Sequence, residues 1–475
     1  MNAEASKLSP ALPGTEVDFF QIDSRRVQAG DLFFALAQPD FQNNCFNGEF
    51  QDSHKFIPSA FEKGAIACVA RRDRFEEHRA ILEEFQDRLI FVEDGILALQ
   101  NLAHSVYLEW NKPIVAITGS AGKTTAKELT AHVLRSGGKR ILSNVKNFNN
   151  GLGHPLTVLN LAKDKSFDAA VLEMGMSTPQ NEIARLCRIT PPDVAVELNV
   201  LPVHVEHLGS IENVAKAKAE LIEGMKPEGI AVLNADDSRV LAMRDLHKGK
   251  TITYGIEGKA DVSASEIEMS RFGETKFVLN LPDEKAEVRF ALSGKHNVLN
   301  ALAASAVGFH FGMSAWKIAD ALQTVKPPPQ RGEVLHFAEN FTVINDSYNS
   351  NPAALLGMVE TLVDGGKSAR RKIVVAGEML ELGADEKTIH AGTGRQLAAS
   401  GIDFLIGVRG LAKDLIEGAG DSIETRFFND SDEAGEFLTN EIRAGDLILV
   451  KGSRGVRTER VIEKLLEKHN LENEN

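Results

Sequence analysis

The stretch from Pro113 to Thr125, P-I-V-A-I-T-G-S-A-G-K-T-T, constrains the fold more than any other part of this chain. Ile114 to Ile117 read as a short buried strand, which breaks into a glycine loop ending in Gly122-Lys123-Thr124. A helix is expected from about Thr125, with Leu129, Val133 and Leu134 on one side. Strand, glycine loop and helix N-terminus, in that order, turn backbone N–H groups toward an anion. In such a loop the lysine neutralises outer phosphates and the following hydroxyl ligates Mg²⁺. The loop is shorter than the common pattern, which needs a glycine where this chain has Ile117. Thr118, Gly119, Ser120, Ala121, Gly122, Lys123, Thr124 and Thr125 are expected to cradle the phosphates of ATP or GTP.

At 475 residues the chain exceeds one ordinary core, and about three domains is the natural expectation. A net charge of −14 argues against a nucleic-acid surface, though not against a local anion site. The cysteines, Cys45, Cys68 and Cys187, are too far apart for a metal knuckle or a disulfide framework. The first ten residues lack the apolar stretch of a signal peptide, and no apolar run is long enough to span a membrane. The cytoplasm is the expected compartment.

Apolar runs ending in polar residues recur at Ala169–Glu173, Val194–Asn199 and Ile230–Asn234. Buried strands alternating with helices predict an α/β fold with mostly parallel sheets. Three blocks are expected. A small α/β N-terminal domain covers 1–110. A central parallel-sheet domain, resembling P-loop ATPases, covers 111–326. A C-terminal Rossmann-like domain covers 327–475, after the prolines Pro327, Pro328 and Pro329. Alternation over 255–291 reads as a small antiparallel insertion, and the last nine residues, all polar but Leu471, as a frayed end.

Candidate chemistry clusters at strand ends. Glu173 ends a strand beside the phosphate loop, where a Mg²⁺ ligand belongs in a parallel sheet. His204 and His207 follow the Val194 strand and could ligate a metal or orient a carboxylate. On the helix 212–225, Lys218 shares a face with Val214, Leu221 and Ile222, and Lys216 shares one with Glu212 and Glu220. Lys218 is therefore expected to point inward and Lys216 to be exposed and ion-paired. A lysine on an apolar face is costly unless paired, neutral or modified. Asn149 and Asn150 lie in an amide-rich loop suited to a sugar or amide. Asn297 and Asn300 share a helix face that could meet a base. Tyr348 and Asn349 follow a strand, and Lys451 and Arg454 end the last one, placed to meet a carboxylate.

Taken in order, these motifs resemble the Mur ligases, and within them the MurF type. T-G-S-A-G-K-T-T is similar to the family's ATP loop. N-F-N-N-G-L-G-H-P-L-T, H-V-E-H-L-G-S with A-K-A-K-A-E, and N-D-S-Y-N-S-N-P with G-E-M-L-E-L-G resemble the MurF branch. The likeness runs from about Asp23 to Arg454. It implies ATP-dependent joining of D-alanyl-D-alanine to UDP-N-acetylmuramoyl-tripeptide through an acyl phosphate, in peptidoglycan precursor synthesis; a monomer is expected, although sequence leaves the oligomeric state open. It implies Thr124, Glu173 and His204 as Mg²⁺ positions. Lys123, Lys218, Glu173 and His204 become the catalytic group, with Lys218 an N6-carboxylysine. Asn297 and Asn300 resemble adenine contacts, and Arg331 and Asp346 resemble nucleotide contacts from the C-terminal domain. Ser24, Arg25 and His54 resemble uridine-nucleotide contacts. Ser53 and Asn345 depart from the usual glycine and aspartate, and Gln38 to Gln51 is longer than usual. A ligase adding a single amino acid is the nearest rival, although the D-N-P-R motif common in diaminopimelate-adding enzymes does not occur. A P-loop switch or kinase is the rival of a different class.

Overall fold

The structure is a computed structural model. It describes residues 16–472 except 146, 177–180, 203–207, 272, 327–328, 381 and 384. Three sheets organise the chain. The first is wholly parallel, in the order β1 (Phe20–Gln21), β2 (Leu32–Phe34), β3 (Ala67–Arg71) and β4 (Leu89–Val92). Phe33 and Cys68 face one side, and Phe34 and Val69 the other, as the two-residue strand period requires.

The second sheet contains β5 (Ile114–Thr118), β6 (Ile141–Ser143), β7 (Ala169–Glu173), β8 (Val194–Glu197), β9 (Ile230–Asn234) and β10 (Thr251–Gly255). It is completed by β11 (Val262–Arg271), β12 (Glu274–Asn280) and β13 (Lys285–Phe290). The spatial order is β13-β12-β11-β10-β9-β8-β5-β7-β6. From β5 the chain first builds outward through β6 and β7 and then crosses to β8 on the other side. The topological switch therefore falls at β5, and ligands of open α/β sheets bind beyond the carboxyl ends of strands at such a point. The segment 255–291, expected as a small antiparallel insertion, contains that antiparallel hairpin and extends this sheet. β11 pairs parallel with β10, and β12 alone of these strands is reversed, pairing antiparallel with β11 on one side and β13 on the other.

Helices cover both faces. Leu129, Val133 and Leu134 of helix Lys123–Ser136 pack with Val115, Ile117 and Val196. Val214, Leu221 and Ile222 of helix Ile211–Glu223 pack with Ala116, Leu172 and Ala195 on the opposite face. Each such fully buried Leu or Ile contributes about 2 kcal/mol of transfer free energy. That second core also takes in Phe34 and Val69, through helix Gly95–Trp110, so the first two sheets share one hydrophobic interior.

The third sheet has the order β14 (Glu333–Phe337), β15 (Phe341–Asp346), β19 (Asp446–Lys451), β16 (Arg371–Gly377), β17 (Phe404–Val408) and β18 (Glu424–Phe428). Only β14 is antiparallel to its neighbour. The tail expected to fray docks against this edge instead. Ala338 N–H donates to Asn470 O (3.0 Å) and Glu472 N–H to His336 O (2.8 Å). An otherwise unpaired strand edge supplies the partners that local sequence did not reveal.

Candidate active site

The site forms where β5, β7 and β8 end together. Register places Ile117 beside Glu173 and Thr118 beside Glu197. The loop leaves β5 at Thr118, whose hydroxyl donates to Met174 O (2.7 Å). Asn199 holds the loop from β8's side: its Oδ1 accepts from Ala121 N–H (2.9 Å) and its Nδ2 donates to Ala121 O (3.2 Å). The apolar run extends to Asn199, but the ladder ends at Glu197, which frees Asn199 for this bracket. The loop closes at Gly122 with φ +80°, and a Cβ there would come 2.5 Å from Asn300 Oδ1. Only glycine satisfies both the left-handed backbone and that approach. Gly122→Ala is expected to weaken ATP binding at least about tenfold, by analogy with the 1–3 kcal/mol of such backbone strain. Titration of a fluorescent ATP analogue checks it, and unchanged affinity would contradict the geometry.

Helix Lys123–Ser136 begins directly after Gly122, two residues earlier than the sequence pattern indicates. Lys123 Nζ folds back to Gly119 O (2.8 Å) and Ser120 O (3.3 Å). Burial lowers its pKa, Glu173 opposes that shift, and Arg331 adds to it. Thr124 Oγ1 donates to Glu173 Oε2 (2.7 Å), and Asn149 Nδ2 donates to Glu173 Oε1 (2.7 Å). Thus the phosphate loop and the amide-rich loop meet on one carboxylate. A hydroxyl and a carboxylate, with phosphate oxygens and water completing the shell, fit Mg²⁺, which takes oxygen ligands and keeps several waters. Among the described residues no cluster of three His, Cys, Asp or Glu side chains could hold a metal alone. His204, expected to share the metal with Thr124 and Glu173, lies outside the described residues, as does His207.

Lys218 is 2% exposed and lies among the inward residues of its helix. Burial first and the Lys123 charge second lower its amine to about 7, against the opposing pull of Glu197. Glu197 is fully buried, and neither carboxylate oxygen has a hydrogen-bond partner among the described residues. It sits two residues beyond Ala195 on β8, so it faces the same side as the Lys218 helix. Burial raises its pKa well above the usual carboxylate range. Lys216 is exposed, but the ion pairs expected for it do not form. Glu212 pairs instead with Arg239 (3.3 Å), and Glu220 accepts Ala184 N–H (3.0 Å).

Asn297 and Asn300 are buried on one helix face and touch each other (3.4 Å). Across from them, the Arg331 guanidinium lies 3.9 Å from the Tyr348 ring centroid. Lys451 Nζ contacts Asp346 Oδ2 (2.5 Å) and Asn349 O (2.9 Å), so the pair expected to meet ligand separately neutralise each other. Arg454 pairs with Glu459 (2.9 Å) and reaches Gln330 (3.2 Å).

The N-terminal residues lie apart from this corner. Arg25 is exposed and forks onto Asp23 (2.9 and 2.8 Å), whose carboxyl that hydrogen bond lowers to about 2. Ser24 O accepts from Lys63 (2.8 Å). His54, expected to touch substrate, is fully enclosed. Its Nδ1 contacts Asp52 (2.7 Å) and its Nε2 accepts Arg71 N–H (2.9 Å). It supports Asp52 rather than meeting a ligand directly. A cleft of about 460 Å³ opens between Phe19, Phe20, Asp23 and Arg26 on one side and Phe148 and Asn150 on the other. Asn150 lines it while its Oδ1 caps the next helix through Gly153 N–H (2.9 Å).

A phosphate loop at the switch of a mostly parallel sheet, followed in the chain by a second α/β domain, defines a nucleotide-binding protein. Residues 117–308 match the Mur ligase middle domain, and residues 330–454 match the Mur ligase, glutamate ligase domain. The UDP-N-acetylmuramoyl-tripeptide–D-alanyl-D-alanine ligase of Bacillus subtilis is 32% identical over 97% of this chain and 95% of its own. A crystal structure of MurF from Acinetobacter baumannii superposes with a TM-score of 0.82 at 30% identity, covering 96% of this chain and 95% of that one. MurF ligase from Thermotoga maritima in complex with ADP gives 0.81 at 29% identity, covering 96% and 98%. The chain belongs to the Mur ligase family, in its MurF-type branch.

Proposed function

We propose that this chain joins D-alanyl-D-alanine to UDP-N-acetylmuramoyl-tripeptide at the expense of ATP. The observation that carries the reading is the shared carboxylate of Glu173. It is held by Thr124 from the phosphate loop and by Asn149 from the loop bordering the 460 Å³ cleft. A triphosphate on the first loop and a peptide carboxylate arriving along the second would meet there.

In this reading residues 1–110 and the cleft hold the UDP-muramoyl peptide, 111–326 hold ATP, and 327–475 bring the dipeptide. Asn297, Asn300 and Arg331 contact the nucleotide. The tripeptide carboxylate attacks the γ-phosphorus, giving an acyl phosphate and ADP. The neutral amine of the dipeptide then attacks the acyl carbon, phosphate leaves, and the amine proton passes to solvent. Lys123 balances charge on the transferring phosphoryl group, and enclosure by the C-terminal domain keeps water from the acyl phosphate. Mg²⁺ bound by Thr124, Glu173 and His204 would neutralise phosphate oxygens. Lys218 carries a carbamate, an anion that its low amine pKa makes accessible near neutral pH. In this reading the enzyme works as a monomer in the cytoplasm; no helix among the described residues is long and apolar enough to cross a membrane.

Phosphate release, measured with each UDP-muramoyl peptide against a panel of amino acids and dipeptides, tests the proposal. Turnover is expected only with the tripeptide and D-alanyl-D-alanine together. Robust ligation of a single amino acid without use of the dipeptide would reject it.

A further inference from the structure

Lys127 is a buried charged residue of the central domain that this scheme leaves without a task. It is 1% exposed, on the helix that leaves the phosphate loop, one turn after Thr124. Its Nζ donates to Asn144 O (2.6 Å) and pairs with Glu128 (2.7 Å). Asn144 directly follows β6, the strand beside β7. Its side chain clamps the Glu173 peptide from both sides: Nδ2 donates to Glu173 O (2.9 Å) and Oδ1 accepts Glu173 N–H (3.0 Å). The same Nδ2 donates to Phe148 O (2.9 Å), in the loop that lines the cleft.

These bonds close a ring. Thr124 reaches the Glu173 carboxylate, Asn144 grips the Glu173 backbone, and Lys127 returns from Asn144 to the helix that carries Thr124. We infer that Lys127 is a positioning residue, which acts through Asn144 to fix Glu173 and the 147–151 loop relative to the phosphate loop. A desolvated ammonium is expensive to keep, and a surface-facing residue would hold the helix equally well. What the buried cation adds is a fixed anchor for a carbonyl whose own side chain orients the shared carboxylate. The backbone of the phosphate loop is held separately, by Asn199 and Thr118, so losing Lys127 should loosen Glu173 and the 147–151 loop more than the cradle of the phosphates.

The inference rests on the proposed reaction for its kinetic part only. Lys127→Met keeps the side chain's length and removes its charge. In the substrate-free chain, amide exchange at Glu173 and over 144–153 is expected to quicken about tenfold or more, while 118–124 stays protected. This readout stands whichever acceptor the enzyme uses. With substrates, kcat should fall about 10- to 100-fold, the range for a lost hydrogen bond to a charged group. KM for the UDP-peptide should rise, and KM for ATP should stay within about twofold of wild type. Asn144→Ala should reproduce this pattern, and the double variant should be no worse than either single one, because both break the same ring. If Lys127→Met fails to fold, Lys127→Gln, which keeps a neutral donor, is read by the same exchange pattern. Unchanged exchange over 144–153, additive losses in the double variant, or an equal rise in both KM values would overturn the inference.

Discussion

Lys123→Ala is expected to lower turnover by about 10²–10³-fold at saturating ATP, the cost of removing one preorganised charge-stabilising donor. The side chain lies within reach of the developing charge and has no part in the apolar core. It rests on its own loop's carbonyls, Gly119 O and Ser120 O. Two neutral acceptors are a poor match for an ammonium that burial already disfavours, and Arg331 nearby makes the charge less welcome still. A triphosphate entering the loop replaces those carbonyls with anionic oxygens. The gain is greatest as charge builds on the transferring group, so the loss should fall on kcat more than on KM for ATP. The helix that Lys123 begins keeps Leu129, Val133 and Leu134 in the core, so the thermal midpoint should move by only a few degrees. Steady-state phosphate release with thermal unfolding of the same preparation decides the matter. Near-normal kcat in a folded variant would remove Lys123 from the phosphoryl-transfer step.

The parts of this site that sequence reveals are those built from local chemistry. The strand ending at Thr118, the glycine loop and the helix after it are written in one short stretch, because apolar period, glycine and helix start are all local signals. Lys218's inward direction was likewise readable, since its i−4, i+3 and i+4 neighbours are apolar and a helix puts them on one face. What could not be read depends on partners distant in sequence. Alternation marks β12 and β13 as strands, but nothing in it tells that β11 docks on β10. The polar tail reads as free until β14's open edge is known to lie beside it. Asn144 follows a three-residue strand and looks like any turn amide, and Lys127 like any helix lysine. Their roles exist only once β6 lies against β7. His54 shows the opposite failure. Its motif resembles a ligand contact, but packing encloses the ring and assigns both nitrogens to the protein. Glu197 carries one cue, a carboxylate ending an apolar strand, the same cue that marked Glu173. Strand position alone does not say which of the two reaches a hydroxyl donor.

Lys218→Met is expected to abolish most turnover and yet to make the protein more stable near neutral pH. The wild-type amine is buried and lowered from its ordinary value of 10.5 to about 7, first by burial and then by the Lys123 charge. In the unfolded chain a lysine holds its proton to about 10.4. Between about pH 7 and that value the unfolded chain therefore binds more protons than the folded one, and stability rises with pH. Below about 7 both states are protonated and the buried cation's penalty is fully present. Methionine removes the penalty, so in CO₂-depleted buffer the variant's advantage should be widest below pH 7 and should shrink as pH climbs toward 10. Burial drives Glu197 toward its neutral acid, so deleting the lysine does not strand a bare anion beside it. Activity should follow the neutral amine in the opposite sense. Carbamate forms only on the unprotonated nitrogen, so wild-type turnover with bicarbonate present should rise through about pH 7. Lys218→Ala, which leaves a space where the side chain was, should regain part of its activity with short carboxylates, whereas Lys216→Ala should remain active because that side chain is exposed. Thermal unfolding from pH 6 to pH 10, read beside turnover with and without added acetate, separates the outcomes. If Lys218→Met is no more stable than wild type at pH 6, the ammonium is well paired after all. If it turns over normally, the carbamate has no part in catalysis.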